Sequence, residues 1–205
     1  MGNHHIDRRD FLKTSTAAVV AGVVAGREAV ARAGEVDAQT AGASHLVAPP
    51  METVRIGYVG VGQQGGAHVE NLIKIPGCRI TAVCDIRPER TAWAKRVITD
   101  AGQPAPVEYT RGPRDFERLC ETEDLDLVYN ATPWEFHVPI MLAAMKNGKH
   151  AATEVPAAMV LDDCWAIVEA AEKQKKHCVP AKSTTTPCLK ALMTRFLFMM
   201  RTPIS

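Results

Sequence analysis

The chain has 205 residues, 46% of them hydrophobic and 23% charged, with a formal net charge of +1. That length suits one domain with a sizeable core, and the composition argues against a disordered or low-complexity chain. A balance so near neutrality, with no basic stripe interleaved with aromatics, gives no footprint for nucleic acid. Six scattered cysteines without a C-x-x-C pair indicate neither a metal site nor a dense disulfide framework, and they read as small buried hydrophobes.

The chain opens with Arg8-Arg9 followed by Phe11-Leu12-Lys13, then an Ala/Val/Gly run from Thr14 to Gly26 closed by Arg27 and Glu28. A positive stretch followed by a mildly apolar one is an export address. The paired arginines resemble the twin-arginine signal, with an ordinary Sec signal or a chance Arg-Arg pair as the alternatives, and they predict a periplasmic or secreted protein. The run falls short of the roughly twenty residues needed to span a bilayer, so no stable membrane anchor is expected. Ala29-Val30-Ala31 and Ala31-Arg32-Ala33 both fit a cleavage site. We therefore assign residues 1–33 to the signal and 34–53, rich in Ala, Gly and Ser and containing Pro49-Pro50, to a linker.

From Val54 onward strands and helices alternate. Val54 to Val59 is a short apolar run ending in glycine, as a buried parallel strand should be. A helix is expected from Gly65 to Ile73, stopped by Pro76-Gly77, then a strand from Arg79 to Cys84. Pro88 opens a helix that ends near Gly102. Pro106 to Tyr109 is a weak third strand, Pro113 opens a helix through Phe116 and Leu119, and Leu125 to Asn130 is the fourth strand. Phe136 to Lys146 is helical with its stop at Gly148, followed by a strand from His150 to Thr153. Leu161 to Lys175 carries apolar residues at helical spacing, and a sixth strand runs from His177 to Val179. The fold class is α/β, a Rossmann-type doubly wound parallel sheet over residues 54–179.

The chemistry starts at Gly60-Val61-Gly62-Gln63-Gln64-Gly65, a G-x-G-x-x-G placed between a strand and a helix. Gly60 permits the tight turn, Gly62 admits a pyrophosphate against the backbone, and Gly65 lets helix and strand pack closely. Asp85, about twenty residues on at the end of the second strand, completes the dinucleotide fingerprint. Its carboxylate suits ribose hydroxyls and repels a 2′-phosphate, favouring NAD over NADP, while Arg87 pulls the other way. The plain alternative is a strand-to-helix turn without a ligand.

Two further constellations lie at the carboxyl ends of strands, where open parallel sheets place ligands. One is Ala131-Thr132-Pro133-Trp134-Glu135-Phe136-His137 and the other Glu154-Val155-Pro156. Taken singly they are weak: Trp134 also reads as a core residue, and a lone His137 is more often a capped or packed histidine.

Together with the glycine turn these motifs resemble the Gfo/Idh/MocA oxidoreductases and, more closely, glycoside hydrolase family 109, the NAD-dependent alpha-N-acetylgalactosaminidases. The resemblance covers Val54 to Val179. It implies NAD contacts at Gly62-Gln63, Asp85, the Trp134 to His137 turn and the Glu154-Val155 pair. Val155 stands where the wider family has a lysine associated with hydroxyl oxidation, and an isopropyl group can neither take up a proton nor polarise a hydroxyl. The activity implied is glycoside hydrolysis by transient oxidation at the sugar C3, with a small sugar as partner and a homo-oligomer as a compatible assembly. A sugar oxidoreductase of the wider family and a non-catalytic NAD-binding remnant are the alternatives.

The resemblance also implies a second domain beyond strand six, which the reading of residues 180–205 does not supply. That stretch reads either as a frameshifted or truncated frame or as a short helical tail with Leu189, Leu192, Met193, Phe196 and Met200 on one face. No catalytic acid or base is assigned.

Overall fold

The computed structural model describes residues 51–180. The export segment, the linker as far as Pro50, the tail from Ala181 and Cys188 lie outside the described residues. Six strands alternate with five helices: β1 Val54–Val59, α1 Gln63–Leu72, β2 Cys78–Cys84, α2 Pro88–Asp100, β3 Val107–Tyr109, α3 Asp115–Thr122, β4 Leu127–Asn130, α4 His137–Lys146, β5 His150–Thr153, α5 Leu161–Gln174 and β6 Cys178–Pro180. A 3-10 turn at Trp134–Phe136 leads into α4.

All strand pairs are parallel and the sheet order is β3-β2-β1-β4-β5-β6. This is the doubly wound order, reversing between β1 and β4, where such sheets hold their ligands. Register decides what meets there. Val59 pairs with Cys84 on one side and Asn130 on the other, and Asn130 pairs with Thr153. Gly60, Asp85, Ala131 and Glu154 therefore leave the sheet next to one another.

Side-chain alternation divides the core into two layers. Val54, Ile56 and Tyr58 point to one face and pack with Val69, Leu72, Ala94 and Ile98 from α1 and α2. On the other face Val59, Ala82, Cys84 and Val128 meet Phe116 and Leu119 of α3 and Ile140, Met141 and Met145 of α4. Each fully buried Val, Leu, Ile, Phe or Met among them contributes about 1.5–3 kcal/mol. Helix α5 is the outermost layer, with no fully buried residue and with Leu161 and Trp165 exposed.

Several boundaries differ from those read in the sequence, two of them where a side chain replaces a backbone partner. Helix α1 begins at Gln63, its first bond running from Gly66 N–H to Gly62 O at 2.9 Å, so Gly65 sits inside the first turn instead of opening the helix. Helix α3 begins at Asp115 rather than at Pro113, where the Asp115 carboxylate accepts the Arg111 N–H at 3.0 Å. Strand β4 starts at Leu127, because Asp126 is held by its own carboxylate accepting the Arg55 N–H at 2.8 Å. Strand β6 includes Pro180, one residue inside the stretch assigned to the tail. Among the cysteines Cys78, Cys84 and Cys120 are buried, whereas Cys164 is exposed on the outer helix and Cys178 is half-buried. Trp134, at 59% exposure, is not a core residue.

Candidate functional site

The glycine turn is shaped by backbone crowding. Gly60 has φ of +87° and donates its N–H to Cys84 O at 2.8 Å, and a Cβ there would lie 2.8 Å from the Ala131 backbone. At Gly65 a Cβ would come within 1.9 Å of Gly60 O. Gly62 differs: a Cβ there would meet nothing within 4 Å. Two of the three glycines are required by the fold, and the third faces open space at the helix start.

Two side chains, Asp85 and Arg90, hold this turn in place. Asp85, at the end of β2, accepts the Val61 N–H at 2.8 Å through Oδ2 and the Arg87 N–H at 3.0 Å through Oδ1. Its oxygens keep further lone pairs toward the neighbouring cavity. Arg90, in the first turn of α2, donates Nε–H to Val61 O and an Nη2 proton to Gly62 O, both at 2.6 Å. Because the peptide planes are trans, carbonyls turned to Arg90 point the N–H groups of Gly62 and Gln63 the opposite way. Those groups, the unsatisfied donors of α1 and the guanidinium charge beneath them suit a pyrophosphate. Trp93 supports Arg90, whose guanidinium lies 5.1 Å from the ring centroid.

A cavity of about 330 Å³ opens beside the turn, between the ends of β1, β2 and β4, lined by Gly60, Gly62, Asp85, Ile86, Pro133 and Phe136 among others. Its wall is mainly apolar with one carboxylate, as a purine and ribose require. Of the sequence-predicted residues, Gly60, Gly62, Asp85 and Phe136 line it. Gln63, Trp134, Glu135 and Val155 are exposed around the same edge.

His137 is fully buried, its ring between two turns, with Nδ1 2.7 Å from Pro156 O and Nε2 2.9 Å from Thr132 O. It fastens the turn after β4 to the turn after β5. Asn130 works beside it: Oδ1 accepts the Thr132 N–H at 3.0 Å and Nδ2 donates to Thr153 Oγ1 at 3.3 Å.

Glu154 and Gln64 meet at a residue that the motifs did not mark, His68, which is fully buried. Its Nδ1 lies 2.9 Å from Tyr58 Oη, and its Nε2 lies 3.2 Å from Gln64 Nε2 and 3.1 Å from Glu154 Oε1. That oxygen is buried, and its approach to the ring is at ion-pair distance without the angles of a regular hydrogen bond. Tyr58 and Tyr129 stack at 5.1 Å, and His68 meets Tyr129 edge-on. Burial pushes the Tyr58 phenol well above its ordinary range, with Tyr129 and the Glu154 charge adding to the effect, so the hydroxyl stays protonated. The missed residues Arg90, Asn130 and His68 carry no motif. Only His68 leaves a trace, since Gly65, His68, Val69 and Leu72 fall at the spacing of one buried helical face.

Comparison with known proteins agrees with this geometry. Residues 54–181 match the GFO_IDH_MocA family model, described as an oxidoreductase family with an NAD-binding Rossmann fold. A glycosyl hydrolase family 109 protein of Saccharopolyspora erythraea is 41% identical over 174 residues, which is 84% of this chain and 38% of that protein. One from Phocaeicola vulgatus is 46% identical over 134 residues, 65% of this chain and 28% of that protein. The chain thus spans well under half the length of these curated relatives. Among solved structures, scyllo-inositol dehydrogenase of Lactobacillus casei with bound NAD(H) and scyllo-inositol is similar, with 25% identity and a TM-score of 0.54 over 62% of this chain and 35% of that one.

Proposed function

The chain belongs to the Gfo/Idh/MocA family of NAD-binding Rossmann-fold oxidoreductases, and from that premise we propose that it is the NAD-holding half of an exported glycosidase acting on alpha-N-acetylgalactosaminides. The observation that carries this reading is Val155, exposed at the carboxyl end of β5 beside Glu154, in a chain 41–46% identical to glycosyl hydrolase family 109 proteins. A sugar dehydrogenase needs a proton acceptor for the hydroxyl it oxidises, and valine offers none. The second reading, a sugar oxidoreductase, draws on the likeness to scyllo-inositol dehydrogenase.

NAD supplies a reversible hydride acceptor. This chain's residues bind and orient it: Gly62 and Gln63 give N–H groups to the pyrophosphate, Asp85 receives the adenosine ribose, and Phe136 lines the apolar wall. The turns carrying Trp134 to His137 and Glu154-Val155 hold the reactive end, and their mutual fastening through His137 and Asn130 sets its position. The Arg8-Arg9 pair directs the folded protein to the twin-arginine route.

Calorimetric titration with NAD and NADP tests the binding. NAD is expected to bind more tightly, and Asp85→Ala to weaken it by about 1–3 kcal/mol, the scale for a charged hydrogen bond. Preference for NADP, or equal affinity in the variant, removes Asp85 from the site. In a chain extended by the second domain of a relative, NAD-dependent release of an aryl group from its alpha-N-acetylgalactosaminide supports the glycosidase. Net NADH production from a free sugar favours the oxidoreductase.

A further inference from the structure

The polar cluster beneath the turns after β1 and β5 does something that cofactor holding alone does not require. Tyr58 from β1, His68 and Gln64 from α1, Tyr129 from β4 and Glu154 from the end of β5 converge in a pocket where His68, Tyr58 and Tyr129 are each fully buried. Burying that much polar surface costs free energy unless the groups satisfy one another. The order of proton donors follows from the chemistry. Tyr58 keeps its proton and lies 2.9 Å from His68 Nδ1, and the Glu154 carboxylate, which can only accept, lies 3.1 Å from Nε2. A ring that carries its proton on Nε2 and not on Nδ1 serves both neighbours: Nε2–H faces Glu154, and Nδ1 accepts from Tyr58. Gln64 then presents its amide oxygen to the same proton, since amide oxygen and nitrogen exchange places by a half-turn.

We propose that His68 is a positioning residue: protonated at Nε2 and backed by Tyr58, it holds Glu154 as a fixed carboxylate at the end of β5, where that charge favours the oxidised, cationic nicotinamide over the reduced, neutral one. The proposal rests on the reading of Glu154-Val155 as cofactor contacts. It gives the buried chain a task, because a carboxylate held from beneath would keep its place whichever form of the cofactor is bound. Glu154 Oε1 is the tethered oxygen, and Oε2 lies 3.3 Å from the Val155 N–H on the exposed side.

Two measurements on the full chain test it. Long-range nitrogen–proton correlation spectra of the wild-type protein labelled at histidine nitrogens read the His68 tautomer directly. A proton on Nε2 is expected, and a neutral ring with its proton on Nδ1 overturns the proposal. Separate equilibrium titrations with NAD+ and NADH then compare wild type with Glu154→Gln, His68→Asn and His68→Gln. The first two variants should move the affinity ratio toward NADH by about tenfold, the scale of one screened charge interaction near a protein surface. His68→Gln, whose amide N–H reaches where Nε2 stood, should restore most of the wild-type ratio. A His68 that is merely structural would weaken both ligands together and leave the ratio unchanged, which overturns the proposal. If His68→Asn does not fold, Tyr58→Phe keeps the stacked ring and removes only the hydroxyl, and the ratio is expected to shift in the same direction by about twofold; no shift overturns the proposal. Wild-type protein that binds neither form refutes the cofactor reading as well, whereas tight NAD+ binding with ratios indifferent to all three residues refutes the roles of His68 and Glu154 and leaves the NAD-binding reading standing.

Discussion

The two ends of the sheet treat buried polar groups differently. At the amino end Arg55 donates to both oxygens of Asp126, through Nε at 3.0 Å and Nη2 at 2.8 Å, and also pairs with Asp124. Nearby, His150 Nδ1 accepts the His177 N–H at 2.9 Å, and the Gln103 amide bonds Ile80 N–H and Cys78 O as a strand would. At the carboxyl end Tyr129 Oη and Glu154 Oε1 are buried without a regular hydrogen bond. The amino end closes its polar groups on themselves, whereas the carboxyl end, although fastened by Asp85, Asn130 and His137, leaves these two oxygens without a regular hydrogen bond. The closed end serves stability, and the carboxyl end is where the proposed cofactor would sit. Substitutions can separate the two roles.

The largest effect is expected at Gly65, where fold and site coincide. A methyl group there would meet Gly60 O at 1.9 Å, backbone against backbone, so neither partner can turn aside. Gly65→Ala should cost roughly 3 kcal/mol in urea denaturation and abolish NAD binding. A variant as stable as wild type would show that α1 slides freely over β1 and that close packing does not explain the third glycine.

Next comes acid sensitivity at the closed end. Burial, with the charges of His177 and Lys176 adding to it, holds the His150 imidazole down to about 4. In the unfolded chain the same group titrates near 6.5, so between those values the unfolded state binds the extra proton. Stability is therefore fully present above about 6.5 and is lost as pH falls toward 4, by on the order of 3 kcal/mol. His150→Asn, whose Oδ1 can still accept the His177 N–H, should flatten the stability profile across that window. An unchanged slope assigns the acid sensitivity to other groups.

Arg55→Leu should cost less, about 1–3 kcal/mol, because it strands the Asp126 carboxylate while the arginine itself is partly exposed and screened. Burial alone would raise Asp126, but the Arg55 hydrogen bonds outweigh it and hold the carboxyl below its usual range. Its share of stability is present at neutral pH and lost as pH falls below about 4, and the variant removes that acid limb. NAD affinity should not change. A fall in affinity equal to that of Asp85→Ala would mean that the two ends are coupled through β1.

How much of this was legible in the sequence follows the same division. Strands such as Val54–Val59 and His150–Thr153 were read to the residue because apolar runs bounded by turn residues are local signals. That the glycine turn and Asp85 would lie side by side was legible because the dinucleotide fingerprint fixes their spacing. Arg90, Asn130 and the His68–Glu154 contact were not, since each links separate elements: Arg90 reaches the Val61 and Gly62 carbonyls, Asn130 reaches Thr153, and His68 meets Glu154. Boundaries slipped at Asp115 and Leu127, where a carboxylate stands in for a backbone partner. That substitution leaves no periodicity to read.

The smallest effect on stability, and the sharpest on the comparison, is expected at Gly62. The dinucleotide fingerprint and a plain strand-to-helix turn make the same demand on Gly60 and Gly65, so neither glycine distinguishes them. Gly62 does, because a Cβ there would meet nothing within 4 Å and its φ of −69° is open to any residue. If the turn is only a turn, alanine costs nothing in any assay. If the turn receives a pyrophosphate, the methyl group occupies the surface that the phosphate oxygens approach. Gly62→Ala should leave the urea midpoint within the ±0.5 kcal/mol typical of neutral surface changes, yet weaken NAD by about tenfold, or ~1.4 kcal/mol. Loss of stability without loss of binding would reverse the assignment: Gly62 would then belong with Gly60 and Gly65 among the glycines that the fold needs, and the open space above it would have no ligand to explain it.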